Sequence, residues 1–287
     1  MPTSHTRRFR RYLPLFKSLQ TGLLLLTGLA GFMSTRCPFI NWQTTLAVAG
    51  SLTLAISGST ILNMWYDRDI DARMGRTAAR PIPSGEVSPN EALILGLVLS
   101  VLGVAWALYM DVLYGVIVFA GLFFDVVIYT IWLKRRTPWS IIWGGLAGGM
   151  PVLAGHALGS GRIEWVGIVL ALAVVFWIPT HIMTFSMRYF DDYQRAGVPT
   201  FPSVYGFAKT RMIVAISSML AGGMMALAAY GVGLTLGYWR LLAVLTGGLL
   251  LLAISSLMRP SERANFGLFK YASLYMLGAM LLLMLVV

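Results

Sequence analysis

Nine apolar runs of 16 to 25 residues divide this chain of 287. They are Ser18 to Met33, Trp42 to Leu62, Ala92 to Met110, Val112 to Leu133, Trp139 to Leu158, Val166 to Met187, Met212 to Leu236, Leu241 to Met258 and Tyr271 to Val287. Apart from Asp125 in the fourth, none holds an acid, a lysine or an arginine. Helices of such lengths cross about 30 Å of hydrocarbon. The composition agrees: 57% of residues are hydrophobic and 11% charged, against about 25% charged in a soluble domain. Lipid offers no partner to a backbone N–H or C=O, so only helices or a closed barrel can span it, and these runs lack the alternation of barrel strands. The expected fold is an all-α membrane protein with nine transmembrane helices in one bundle. Small residues such as Ala147-Gly148-Gly149 and Ala221-Gly222-Gly223 let its helices approach closely.

The net charge of +11 sits between the runs. Nineteen of the 22 basic residues fall in the N-terminal segment and every second loop, and only Arg36, Arg162 and Arg240 fall on the other side. The positive-inside rule then places the N-terminus in the cytoplasm and the C-terminus outside, which suits a multi-pass protein of the cell membrane. Nucleic acid is excluded as a partner, because the positive charge lies in short loops and not on a basic face of a soluble domain. One cysteine, Cys37, excludes an internal disulfide framework and a cysteine metal site. Residues 1–17 read as a cytoplasmic tail and 18–287 as a single membrane domain. A presequence is the weaker reading of that tail, since no small-residue cleavage site follows it.

Five of the eleven acids, Asp67, Asp69, Asp71, Asp191 and Asp192, cluster in the loops after the second and sixth runs. If the second helix continues through the first loop, Asn63, Asp67 and Asp71 fall at i, i+4 and i+8 on one face, with Asp69 turned elsewhere. Like charges at that spacing repel, so the stripe calls for a compensating cation. Mg²⁺ suits it, because that ion takes one or two carboxylates and completes its shell with water and phosphate oxygens. Arg76, Arg80, Lys134 and Arg135 are placed to meet the outer oxygens of a diphosphate. The plainer alternative pairs these acids with Arg68 and Arg73 as a solvated charge run. Tyr66, Tyr129, Trp132, Trp143 and Trp177 are candidates to line a cavity, or equally to mark the membrane interfaces. His181 and Asp125, ionisable groups within runs, are candidates for acceptor contact or for structural pairing. His156 reads as packing. Gly197, Pro199 and Pro202 enforce turns that place Asp192 opposite the first motif.

Asn63-x-x-x-Asp67-x-x-x-Asp71 resembles the first signature of the UbiA superfamily of intramembrane prenyltransferases. The continuation through Arg76 and Arg80-Pro81 is similar to the branch of that superfamily that farnesylates protoheme. So are Lys134-Arg135-Arg136-Thr137-Pro138, the glycine-rich Gly144 to Pro151, and Asp192 to Gly206. The resemblance implies nine helices around a central cavity, Mg²⁺ as cofactor, a prenyl diphosphate such as farnesyl diphosphate as donor, and a membrane-held acceptor, protoheme IX (heme B), converted to heme O. It makes Asn63, Asp67, Asp71 and Asp192 the catalytic and metal-holding residues. Arg76, Arg80, Lys134, Arg135, Asp191, His181 and Tyr129 are then substrate contacts. Two alternatives stay open: a prenyltransferase acting on a quinone precursor, a chlorophyll-type or a lipid acceptor, and a cation-coupled transporter, whose acids would instead lie near the bilayer midplane.

Overall fold

The computed structural model describes residues 11–35 and 41–285, and Cys37 and the arginines before Arg11 lie outside them. Eleven α-helices form: α1 (Ser18–Met33), α2 (Trp42–Tyr66), α3 (Arg68–Asp71), α4 (Pro89–Met110), α5 (Val112–Phe123), α6 (Ser140–Ser160), α7 (Trp165–Arg188), α8 (Phe190–Arg195), α9 (Phe201–Val232), α10 (Leu236–Met258) and α11 (Glu262–Met284). α5 runs directly into a π-helical stretch, Phe124–Leu133, and the two make one span. Eight helices are long and apolar enough to cross a membrane, and the short α1 completes nine within the described residues. At 1.5 Å per residue α1 reaches only about 24 Å. It stays in the bundle by packing closely on α6: Gly31 meets the backbone of Val152, and Gly155 meets that of Gly28.

Helix starts follow local chemistry. Asn41 accepts from the Thr44 N–H at 2.7 Å to cap α2, and Asp111 accepts from the Tyr114 N–H at 2.8 Å to cap α5. Ser88 and Glu91 form a capping box at α4, with Pro89 at its first position. α4 then turns a stripe of small residues, Ala92, Gly96, Ser100, Gly103 and Ala107, inward against α2 and exposes Ile94, Leu97, Val101 and Leu102. With no hydrophobic gain from meeting another helix in lipid, such stripes supply the close van der Waals contact instead.

Several boundaries differ from the sequence expectation. α9 begins eleven residues before Met212, because Pro202 opens the helix where it was read as a turn, and the chain bends at Gly206, whose φ is +81°. α11 begins nine residues before Tyr271, capped by Ser261. The expected tail of residues 1–17 is docked from Arg11 onward. A 3-10 turn, Leu13–Phe16, buries Leu15 completely against Ile61, Met64, Ile82, Val87 and Ala92, since an apolar side chain leaves water wherever a complementary surface is offered.

Candidate active site

α2 ends at Tyr66, but the helical hydrogen bonding continues across the break: the Asp67 N–H donates to the Asn63 carbonyl at 2.9 Å and the Asp71 N–H to the Asp67 carbonyl at 2.8 Å. Asn63, Asp67 and Asp71 therefore keep one face. Asp67 is 1% exposed and Asp71 4%, and Asp69 is turned outward. The second acidic segment folds back over this one. Asp192 accepts from the Gly75 N–H at 3.2 Å and pairs with Arg195, and Ile70 and Met74 pack with Ala196 and Val198 beneath the contact. Burial works against the Asp192 carboxylate, but the N–H groups of Gly75 and Arg76 and the Arg195 guanidinium outweigh it and hold its pKa below the usual carboxylate range.

Each inward acid has its own cation. Lys134 donates to Asp67, and Arg80 donates to Asp71 at 2.5 Å. Burial by itself pulls the Lys134 pKa down, yet the nearby Tyr129 and Asp67 oxygens prevail and leave it raised. Arg135 grips Asp69 with both nitrogens, at 2.8 and 2.6 Å, and donates to the Tyr66 carbonyl at 2.8 Å. This bidentate pair depresses the Asp69 pKa and lifts that of Arg135. Arg76 lies among three rings, 4.9 Å from the centroid of Phe185, 5.7 Å from Tyr189 and 5.4 Å from Tyr193, and donates to the Tyr193 hydroxyl at 3.2 Å.

These groups stand at the mouth of a cavity of about 860 Å³ that runs into the bundle. Asn63, Asp71, Arg76, Arg80, Tyr129, Lys134 and His181 line it; Asp67, Asp192 and Arg135 do not, and Lys134 covers Asp67. Deeper walls are apolar, with Leu52, Ile56, Val118, Met150 and Leu277 among them. Trp177 is fixed at the wall by donating from Nε1 to the Ala272 carbonyl at 2.7 Å. His181 stacks between Trp177 and Phe269, 4.9 and 4.6 Å between ring centroids, with its Nδ1 3.2 Å from the Ser273 hydroxyl.

Two expectations change. Asp191 is exposed and away from the cavity: successive residues of a helix point about 100° apart, so with Asp192 turned in Asp191 is turned out. Tyr66, Trp132 and Trp143 also lie outside the lining. His156 is buried and meets the Ser34 hydroxyl through Nδ1 at 3.1 Å, as packing requires. Asn63, Asp67, Asp71 and Asp192 do not form a ready-made cage: among the described residues no group of three His, Cys, Asp or Glu side chains is already gathered for a metal. Along the stripe Asp67 is neutralised by Lys134 and, at 3.7 Å, by Arg135, and Asp71 by Arg80, while Asn63 Nδ2 donates to the Thr130 hydroxyl at 2.7 Å. The residues still fit Mg²⁺ in company with a diphosphate. Their donors are hard oxygens, and Asp67 Oδ1 is buried without any hydrogen bond.

Sequence reasoning missed Lys17, Ser59 and Thr130. Lys17, in a left-handed conformation at φ +39° just before α1, lines the cavity. Burial, reinforced by Arg80 and Lys134, lowers its pKa to about 7. Before a membrane span a lysine reads as topology, so nothing marked it. Ser59 did carry a signal, since Ser59, Asn63, Asp67 and Asp71 extend one i, i+4 stripe.

Fold and site together define a multi-pass membrane protein whose cavity has charged groups at its mouth and apolar walls beyond them. The model of the UbiA prenyltransferase family matches residues 24–283, and the chain belongs to that family. It is 38% identical over 269 residues to a protoheme IX farnesyltransferase of Pyrobaculum neutrophilum, spanning 91% of this chain and 94% of that one. A protoheme IX farnesyltransferase of Archaeoglobus fulgidus is 42% identical over 206 residues, 71% of this chain and 72% of its own. Among solved structures, a digeranylgeranylglyceryl phosphate synthase superposes with a TM-score of 0.80 at 19% identity, covering 97% of this chain and 98% of its own. A UbiA homolog from Archaeoglobus fulgidus bound to GPP and Mg²⁺ superposes with a TM-score of 0.71 at 16% identity, covering 95% and 99%.

Proposed function

We propose that this prenyltransferase moves a farnesyl group from farnesyl diphosphate to protoheme IX, giving heme O, with Mg²⁺ as cofactor and the diphosphate held on the cytoplasmic side. The observation that carries the donor is the division of the cavity: acids and bases at one end, an apolar interior beyond them. That division matches a diphosphate head on an isoprenoid tail. The acceptor is carried by relatives 38 to 43% identical that are protoheme IX farnesyltransferases. Sidedness rests on the basic residues, which gather at the end bearing the acidic loops.

In this reading Asp67, Asp71 and Asp192, with Asn63, would hold Mg²⁺, which when bound would supply charge neutralisation for the leaving diphosphate. Arg80 and Lys134 turn from their carboxylates to phosphate oxygens, Arg76 and Lys17 reach the same head, and the allylic C1–O bond ionises with its electron pair leaving on the diphosphate. Tyr129 and Trp177 present ring faces to the carbocation, and the apolar wall keeps water from it. Incubating the purified protein in detergent with Mg²⁺, farnesyl diphosphate and protoheme, and reading products by mass spectrometry, tests this. A farnesylated heme that disappears with EDTA is the expected result. Diphosphate release without it overturns the acceptor, and no reaction with any acceptor overturns the enzyme.

A further inference from the structure

On the hydrocarbon side of the acids at the mouth, Ser59 donates its hydroxyl to Asp125 Oδ2. Ser59 lies one helical turn before Asn63 and two before Asp67. Asp125 lies in the first turn of the ten-residue π-helical stretch Phe124–Leu133, and π-helical geometry is rare and frequent at functional sites. The wide turn is fastened by Thr130, five residues on, whose hydroxyl donates to the Asp125 carbonyl at 2.7 Å and accepts from Asn63 at 2.7 Å. Asp71 and Asp125 are the only acids among the described residues that line the cavity. Asp71 is held by Arg80, whereas Asp125 makes no ion pair within the described residues and its Oδ1 accepts no hydrogen bond there. A carboxylate placed within a span is costly, and such groups mark function.

Prenyl transfer to carbon leaves a proton to be removed. The C1–O bond breaks with its electron pair on the diphosphate, and a π bond of the acceptor supplies the pair that joins it to C1. The positive charge left on the acceptor is discharged by loss of a C–H proton, or by capture of a water that then loses one. One proton must leave by either route. Resting on the prenyl-transfer reading above, we propose that the Asp125 carboxylate takes that proton, held in place by Ser59 and the π-turn. Its place one turn inside the diphosphate residues puts it on the hydrocarbon side of the leaving group, near Lys17 and Lys134 but in an ion pair with neither among the described residues.

The test separates diphosphate release from product. With wild type, Asp125→Asn and Ser59→Ala in detergent with Mg²⁺ and farnesyl diphosphate, diphosphate, prenylated acceptor and free farnesol are quantified on whichever acceptor the wild type prenylates. Asp125→Asn keeps the shape and the contact with Ser59. It should hold the KM for farnesyl diphosphate within about threefold and lower coupled product about 100-fold or more, with farnesol rising relative to product. Ser59→Ala, which loosens the carboxylate, should show the same split at smaller size, and Asp125→Glu should recover part of the product. Product from Asp125→Asn at the wild-type rate, one per diphosphate released, overturns the proposal. So does a loss explained wholly by weaker farnesyl diphosphate binding. Failure of the wild type on protoheme with success on another acceptor overturns only the acceptor reading, because the partition is then read on that other acceptor.

Discussion

Lys134 and Asp67 are locked together across the mouth of the cavity, joining the end of the π-helical stretch to the break after α2. The carboxylate is 1% exposed and the lysine side chain 17%, so the pair is held largely out of water. Removing one partner of such a pair strands a charge, whereas removing both is often tolerated.

That contrast separates stability from catalysis. Asp67→Ala should abolish turnover and cost about 3 kcal/mol of stability through the stranded Lys134. Asp67→Ala combined with Lys134→Met should regain most of the lost thermal stability in detergent and none of the activity. Full activity in the single variant would remove Asp67 from the metal and diphosphate site.

Arg76 lies against aromatic rings, and its planar fork is what a phosphate group matches. Arg76→Lys keeps the charge and loses both features. The KM for farnesyl diphosphate should rise about tenfold, roughly 1.4 kcal/mol in the binding step, with a smaller change in KM for the acceptor. An unchanged KM for the donor would detach Arg76 from the diphosphate.

Lys17 makes binding depend on pH. Its folded-state pKa of about 7 lies below the ordinary value of 10.5, so between these limits the unfolded chain holds the extra proton and stability of the free protein rises with pH. A bound anion reverses the preference and restores the proton. At pH 8, calorimetry of farnesyl diphosphate binding in buffers of different ionisation enthalpy should show proton uptake. Affinity should fall by up to about tenfold per pH unit above 7, the limit for one linked proton. Lys17→Met should abolish the uptake.

Gly206 carries the bend that lets α9 begin at Phe201, with open space around the position a Cβ would take. Its φ of +81° suits glycine alone. Gly206→Ala should therefore cost about 1–2 kcal/mol through backbone strain, read as a lower melting temperature in detergent. Because no side chain is displaced, an unchanged melting temperature would mean that the bend relaxes into a continuous helix.

The sequence alone determined the membrane spans, the helices and the shared face of Asn63, Asp67 and Asp71. Hydrocarbon thickness and unsatisfied backbone groups leave a chain with such apolar runs little choice, and the i, i+4 spacing of Asn63, Asp67 and Asp71 puts them on one face wherever the helix goes. Both are local constraints, legible residue by residue. Tertiary structure decided what distant segments do to one another. It gave Asp71 to Arg80, Asp67 to Lys134 and Asp69 to Arg135 rather than to the neighbouring Arg68 and Arg73. It also set Asp192 on Gly75, turned Asp191 away, docked Leu15 and brought Lys17 into the cavity. It brought Ser59 of another helix to Asp125. Pairings of this kind depend on which helices meet and in what rotation, and those follow from the packing of small residues over the whole bundle, which no single stretch of sequence contains.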